Sequence, residues 1–429
     1  MTRPRVVVTG LGVISAAGHN RHELWDSLHA GRTAIAQLEG FPLDQLRFRS
    51  GAQVRGYEPR DHFDRQATGI LDRFAQFLII AAREAVADAE LELGDGLAER
   101  TAIVTGSSMG GQMTMDECYL DLYGRGHTRS HPLSIPRAMA NAGASQLALE
   151  FGITGPTFTL STACASSNHA LGQALALLRS GQVEAALAGG SEAPFCWGSL
   201  KAWEAVRAVD PEPCRPFARD RHGMSLGEGG AVLVLETEER ARTRGARIYG
   251  ELAGFGMSAD AHHITHPSVD GPARALTSAL RDAGWSPEEV GHINAHGTGT
   301  EVNDLSESQA IHAVFGEQAE RIAVTSTKSI HGHGLGAAGA LEAVATLLTL
   351  IHGTIPPTAN TLSVDPECRL DVVTGAARPC GVRRALSSSF AFGGLNAVAA
   401  FAAWEGGRSG LNGPVARPSD RGGNGAGEG

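Results

Sequence analysis

Lysine is almost absent from this 429-residue chain: of its 36 basic residues only Lys201 and Lys328 are lysine. With Ala, Gly and Arg abundant, that bias reads as GC-rich bacterial coding. A lysine retained against it marks a place where a planar guanidinium does not serve. Net positive charge is missing too. The formal charge of −10 argues against a general nucleic-acid binder. The six cysteines (Cys118, Cys164, Cys196, Cys214, Cys368 and Cys380) form no CxxC pair. Neither a zinc ribbon nor a disulfide framework is indicated, and a reducing cytoplasm is the expected compartment. No apolar stretch is long and clean enough to cross a membrane: "LEAVATLLTLI" is short and interrupted by Glu342. The opening "MTRPRVVVTGLGVIS" is broken at Gly10 and Gly12, as a first strand and turn would be and a signal peptide would not.

What is present is enough for a large core, since 42% of the residues are hydrophobic; the length implies two domains or one duplicated fold. Strand-like runs at "RVVVTG", "TAIVTGSS", "EAALAGGSEA" and "AVLVLE" are followed by a second series at "YGELAGFG", "VGHINAHG", "IAVTSTKS" and "RALSSSFAF". Helical periodicity lies between them, around 72–90, 165–180, 272–284, 304–315 and 336–352. Alternation of this kind predicts an α/β architecture with mostly parallel sheets. Each series places a reactive-looking segment before an Ala-rich helix. We therefore expect a duplication, with an N-terminal half over 1–250, a C-terminal half over 251–404, and a disordered Gly-rich tail over 405–429.

Cys164, in "TACASS", sits where a strand gives way to a helix. A helix N-terminus facing a thiol is expected to lower its pKa and to offer donors to an oxyanion; the alternative is a small buried hydrophobe. "NAHGTGTEVNDLSES" holds His296 between a strand and Gly297 and Gly299, with the hydroxyls of Thr298 and Thr300 beside it. "TSTKSIHGHGLGAAGALEAV" holds Lys328, and also His331 and His333, which alternate so that one of them faces any common site. His331, His333 and the "HHITH" cluster (His262, His263, His266) could be read as metal ligands, but no acidic or cysteine ligand stands at a standard spacing. "GLGAAG" at 334–339 imitates a dinucleotide loop without the βαβ context, and its small residues fit close helix packing better. "GSSMG" at 106–110 imitates a nucleophile elbow around Ser108 and keeps an α/β-hydrolase in contention. "SSSFAFGGLNAV" bends after Phe392 at Gly393 and Gly394, where a backbone N–H could face a site.

In this order, "TACASS", "NAHGTGT", "TKSIHGHGLGAAGA" and "FAFGGLN" resemble the β-ketoacyl-[acyl-carrier-protein] synthases of the thiolase superfamily, over about residues 3–404. The resemblance implies the thiolase fold, duplicated halves in a five-layered αβαβα sandwich, and a dimer. It implies Cys164 as the acyl-accepting nucleophile, His296 and His333 as the pair that binds malonyl thioester and supports decarboxylation, and Lys328 as an electrostatic organiser with Glu307 near it. Thr298 and Thr300 would hold the phosphopantetheine arm. The amides of Cys164 and Phe392 would form the oxyanion hole, with Phe392 a gate. Arg207 would serve carrier docking, and Met109, after Ser108, would cap the acyl pocket.

No metal and no organic cofactor are implied, because the pantetheine arrives with the acyl carrier protein. The expected reaction is decarboxylative Claisen condensation of an acyl chain on Cys164 with malonyl-acyl-carrier protein. The run "SEAPFCWGSLKAWEAVRAV" looks closer to nodulation-type and type II polyketide ketosynthases than to the housekeeping fatty-acid elongation enzyme, which stays the alternative. Docking arginines expected near 65–73 are interspersed with Asp61, Asp64 and Asp72. A noncatalytic chain-length-factor-like subunit is disfavoured by Cys164, although such a factor is an expected partner if the dimer is a heterodimer.

Overall fold

The computed structural model of the chain describes residues 3–406. The expected tail therefore lies outside the described residues, apart from Glu405 and Gly406. Ten strands carry the architecture. The first five are β1 (Val6–Ser15), β2 (Thr101–Gly106), β3 (Thr157–Leu160), β4 (Ala185–Glu192) and β5 (Gly229–Thr237). The second five are β6 (Gly250–Ala259), β7 (His292–Asn294), β8 (Ala323–Thr325), β9 (Arg384–Ala391) and β10 (Leu395–Ala403).

Pairing exposes the duplication. In the first set the order is β1-β5-β4-β2-β3, with the first two pairings antiparallel and the last two parallel. In the second it is β6-β10-β9-β7-β8, with the same sequence of directions. The two half-sheets meet only at Val7–Glu251 and Val8–Gly250, which splice them into one sheet. Asp371–Val372 adds a short parallel pairing beyond β8.

Helices fill the layers. α1 (Arg73–Asp88) and α2 (Ala142–Phe151) cover the outer face of the first half-sheet. α3 (Ser166–Arg179) crosses beneath it, and α4 (Trp197–Val206) follows β4. α5 (Asp270–Ala283) covers the second half-sheet with α6 (Glu301–Phe315) beside it. α7 (Ala338–His352) packs on α3, and both helices touch strands of both halves. The result is helix, sheet, helix, sheet, helix: the five-layered thiolase sandwich.

The middle layer explains the sequence of α7. Residues Ala338 through Leu350 are all buried, so the helix is covered on every face and, but for Glu342, Thr346 and Thr349, apolar all round, as a helix held between two sheets must be. "LEAVATLLTLI" is thus core and not a membrane segment. Truncating Leu341 or Leu347, both fully buried, would cost about 2–5 kcal/mol.

The strand and helix expectations hold to within a few residues. β10, however, was not anticipated. Its signal was the pair Gly393–Gly394, both at positive φ, which closes a hairpin between two apolar runs. GLGAAG belongs to packing: a Cβ on Gly336 would lie 2.4 Å from the Ser108 amide, and one on Gly339 would lie 2.8–2.9 Å from Asn168.

Candidate active site

β3 ends at Leu160, and a four-residue turn delivers Cys164 to the start of α3. Ala163, just before it, is held at φ +49°, a left-handed conformation that costs a residue with a Cβ about 1–3 kcal/mol. The turn is tied down on both sides. Ser166 Oγ accepts from the Thr162 amide (2.9 Å) and donates to the Ala163 carbonyl (2.6 Å). Thr162 Oγ1 lies 2.9 Å from His169 Nδ1. The thiol is therefore fixed two residues ahead of the helix, with only 8% of Cys164 exposed.

Its protonation departs from expectation. Burial pushes the Cys164 thiol up to about 12, and the nearby Lys328 charge opposes this only in part. The helix-end argument is local, whereas exclusion of water is a property of the whole layer, and the latter wins. At rest Cys164 is therefore a thiol set against an imidazole, not a preformed thiolate.

That imidazole is His333, whose Nε2 is 3.2 Å from Cys164 Sγ. Its Nδ1 accepts from the Leu335 amide at 3.2 Å, so the proton sits on Nε2 and the ring donates towards the sulfur. His296 stands perpendicular to it, with ring centroids 5.5 Å apart. Burial, and then the Lys328 charge, hold both imidazoles well below their ordinary pKa. They are neutral rings. His331 points elsewhere, with Nε2 3.0 Å from Thr327 Oγ1 and Nδ1 2.8 Å from the Gly332 carbonyl.

Glu307 lies within reach of the Lys328 charge, as expected, but the ion pair is made with another carboxylate. Lys328 Nζ makes a short ion pair with Glu342, both side chains fully buried. Glu307 instead accepts from the His296 and Gly297 amides, 2.7 Å each, and so sets the loop that carries His296. Burial raises both carboxyls to about 7. Glu342 escaped notice because a lone acid in an apolar run reads as an interruption. The clue was its complement, the one lysine kept in the segment before it.

A cavity of about 440 Å³ opens onto Cys164, His296 and His333, with Thr298 and Thr300 on its wall. The two threonine hydroxyls are 3.0 Å apart. Phe392 lines the same cavity and stacks on Trp203 at 6.2 Å. The neighbouring amides of its turn are engaged, Gly393 with the Ile264 carbonyl (2.8 Å) and Gly394 with that of Ala391 (3.0 Å). Arg207, His222, His263 and His266 stand at the rim.

Met109 is not part of this lining. It lies 45% exposed, its amide bound to Glu192. Arg73 does not face outward either, because it pairs with buried Glu228 and stacks on Tyr57 and Phe77. Ser108 Oγ is buried with no partner among the described residues, so the hydrolase alternative lacks a base. Among those residues no three His, Cys, Asp or Glu side chains converge as a metal site.

Comparison with known proteins gives one answer throughout. The family model "Beta-ketoacyl synthase, N-terminal domain" matches residues 3–241, and "Beta-ketoacyl synthase, C-terminal domain" matches 249–362. Nodulation protein E of Rhizobium meliloti (strain 1021) is 43% identical over 397 residues, covering 92% of this chain and 98% of the relative. A 3-oxoacyl-[acyl-carrier-protein] synthase 2 of Synechocystis sp. (strain ATCC 27184 / PCC 6803 / Kazusa) is 39% identical over 409 residues, 94% of this chain and 98% of the relative. Among solved structures, the ishigamide ketosynthase/chain length factor superimposes with a TM-score of 0.89 at 38% identity, covering 94% of this chain and 100% of that one. A ketosynthase in complex with its type II PKS acyl-carrier protein gives 0.86 at 32% identity, with the same coverage.

Proposed function

The chain belongs to the β-ketoacyl synthase family and is an acyl-transferring condensing enzyme; on that premise we propose that it is the ketosynthase subunit of a type II polyketide synthase, acting in the cytoplasm. The observation that carries the mechanism is His333 Nε2 at 3.2 Å from Cys164 Sγ, on a cavity shared with His296.

Cys164 attacks the acyl thioester of a carrier protein. A new C–S bond forms, the carrier's C–S bond breaks, and the thiol proton leaves with the carrier sulfur. Malonyl-carrier then enters along Thr298 and Thr300. Cleavage of its carboxyl C–C bond releases CO2 and leaves an enolate, whose oxygen accepts from the neutral His333 and His296 rings. Such preorganised donors act most strongly where water is excluded. The enolate carbon attacks the Cys164 thioester. The tetrahedral oxygen is held by the amides of Cys164 and Phe392; its collapse breaks the acyl C–S bond, releases the β-ketoacyl product on its carrier and frees the Cys164 thiolate, which takes a proton from solvent to restore the thiol. Burial, reinforced by the Lys328 charge, keeps both histidines neutral. No resident metal or organic cofactor enters these steps.

The partners we assign are an acyl carrier protein, with Arg207 at the rim as a contact, and a chain-length-factor subunit. Likeness to the ketosynthase/chain length factor pair supports the second. So do β3, an open sheet edge among the described residues, and the segment that leaves Tyr119, Tyr123, Ile135 and Met139 exposed. The elongation reading keeps one observation in its favour, the likeness to a 3-oxoacyl-[acyl-carrier-protein] synthase 2.

Intact-protein mass after incubation with acyl-carrier protein should show the acyl group on Cys164, absent in Cys164→Ala and retained in Ser108→Ala. The reverse pattern sinks the mechanism. Full condensing activity of the chain purified as a homodimer would replace the polyketide reading with the elongation one.

A further inference from the structure

Glu192, the last residue of β4, is fully buried and belongs to none of the steps above. Its Oε2 accepts from the amides of Ser108 (2.6 Å) and Gly336 (3.0 Å). Its Oε1 accepts from Ser107 Oγ (3.1 Å) and the Met109 amide (3.2 Å). One carboxylate thus joins two loops from opposite halves of the fold. The first, Ser107–Gly110, follows β2 and touches the turn that leads to Cys164 through Ser161 Oγ and the Ser108 carbonyl, 3.4 Å apart. The second runs from His333 to Gly336.

The second half repeats the device. The loop after β7, the counterpart of β2, presents two consecutive amides to a buried glutamate, Glu307, and that loop carries His296. Two loops in equivalent places are each chelated by a carboxylate. For one of them the purpose is plain.

We propose that Glu192 is a positioning residue for the condensation: its carboxylate sets the Met109 loop and, through the Gly336 amide, the loop that aims His333 at Cys164. The proposal rests on the condensing mechanism above. Burial raises the Glu192 carboxyl, and the four donors aimed at its two oxygens oppose that rise.

The isosteric Glu192→Gln tests this, because a carboxamide has one acceptor oxygen where the carboxylate has two. It keeps either the Ser108–Gly336 pair of donors or the Ser107–Met109 pair, and turns an N–H towards the other. Gly336→Ala strains the same junction from the opposite side, since its Cβ would lie 2.6 Å from Glu192 Oε2. Three quantities are read on wild type and both variants: single-turnover acylation of Cys164 across carriers of increasing acyl length, decarboxylation of malonyl-carrier, and the melting temperature.

Decarboxylation should fall at least tenfold further than acetyl transfer in both variants, since His333 serves the first more than the second. Glu192→Asp, which keeps two acceptor oxygens, should recover part of the decarboxylation. If all rates fall by one common factor that follows the melting temperature, or none changes, Glu192 is only structural and the proposal is wrong. Wild type that neither self-acylates nor decarboxylates would refute the condensing mechanism instead.

Discussion

Replacing Lys328 by Met removes an ammonium from a pair in which both side chains are fully buried, and the cost should depend on pH in a calculable way. Burial holds the Glu342 carboxyl at about 7, and the influences pulling it down are the charge and hydrogen bond of Lys328. In Lys328→Met both vanish, so the carboxyl rises further and stays protonated at neutral pH. In the unfolded chain the same group titrates near 4.5 in either protein. A group whose folded pKa is raised contributes stability that is complete below the unfolded pKa and lost as pH climbs through the folded one. Wild type has spent that loss by about pH 7, whereas the variant goes on losing stability above it.

The gap between them should therefore widen by about 1.4 kcal/mol per pH unit, or roughly 2.7 kcal/mol between pH 7 and pH 9. For a chain of 429 residues unfolding entropy makes 1 kcal/mol worth about 1 °C. Thermal melts of both proteins from pH 6 to pH 9 should show the difference in Tm growing by about 3 °C over the upper two units. A constant gap, or one that narrows, would mean that Glu342 is ionised in the variant and that the buried pair has been misread.

His296→Ala and His333→Ala should each lower malonyl decarboxylation by on the order of a hundredfold while acylation of Cys164 survives better; equal loss of both steps in a single-turnover assay would overturn the division of roles. Because burial holds both rings well below their ordinary pKa, wild-type decarboxylation should also show no loss on going from pH 7 to pH 6, where a free imidazole would be taking up its proton. As a test of the proposal that Met109, exposed outside the described cavity, faces the acyl chain at a subunit interface, Met109→Gly should lengthen, and Met109→Trp shorten, the acyl chains accepted from a ladder of carriers differing by two carbons, with acetylation intact. An unchanged profile in both variants would put the length determinant in the partner subunit.

The residues that the structure brings together around Cys164 were legible in the sequence because chemistry restricts their type: a thiol before a helix, a histidine between glycines and, behind them, a lysine kept where arginine rules. What supports them was not. Glu342 is 14 positions from Lys328 and Glu192 is 84 from Ser108, separations that only the folded layers bring together. The thiol pKa was misjudged for the same reason, since the rule for helix ends is local and burial is not. The doubled topology was partly visible as two strand series, yet β10 was hidden because its alanine-rich run carries little of the β-branched signature.

Leu335 has the same left-handed backbone as Ala163, φ +48° against +49°. Each stands three residues before a middle-layer helix, α7 and α3, so Gly336 occupies in the second half the place of Cys164 in the first. The chain has in effect built its nucleophile elbow twice and armed it once. In the unarmed copy the amide that corresponds to that of Cys164 is already satisfied by Glu192, an anion standing where a second oxyanion would form. A cysteine could not be restored there without driving its Cβ to 2.4 Å from the Ser108 amide. The asymmetry between the two copies is therefore not in the backbone, which repeats, but in a side chain present at Cys164 and absent at Gly336.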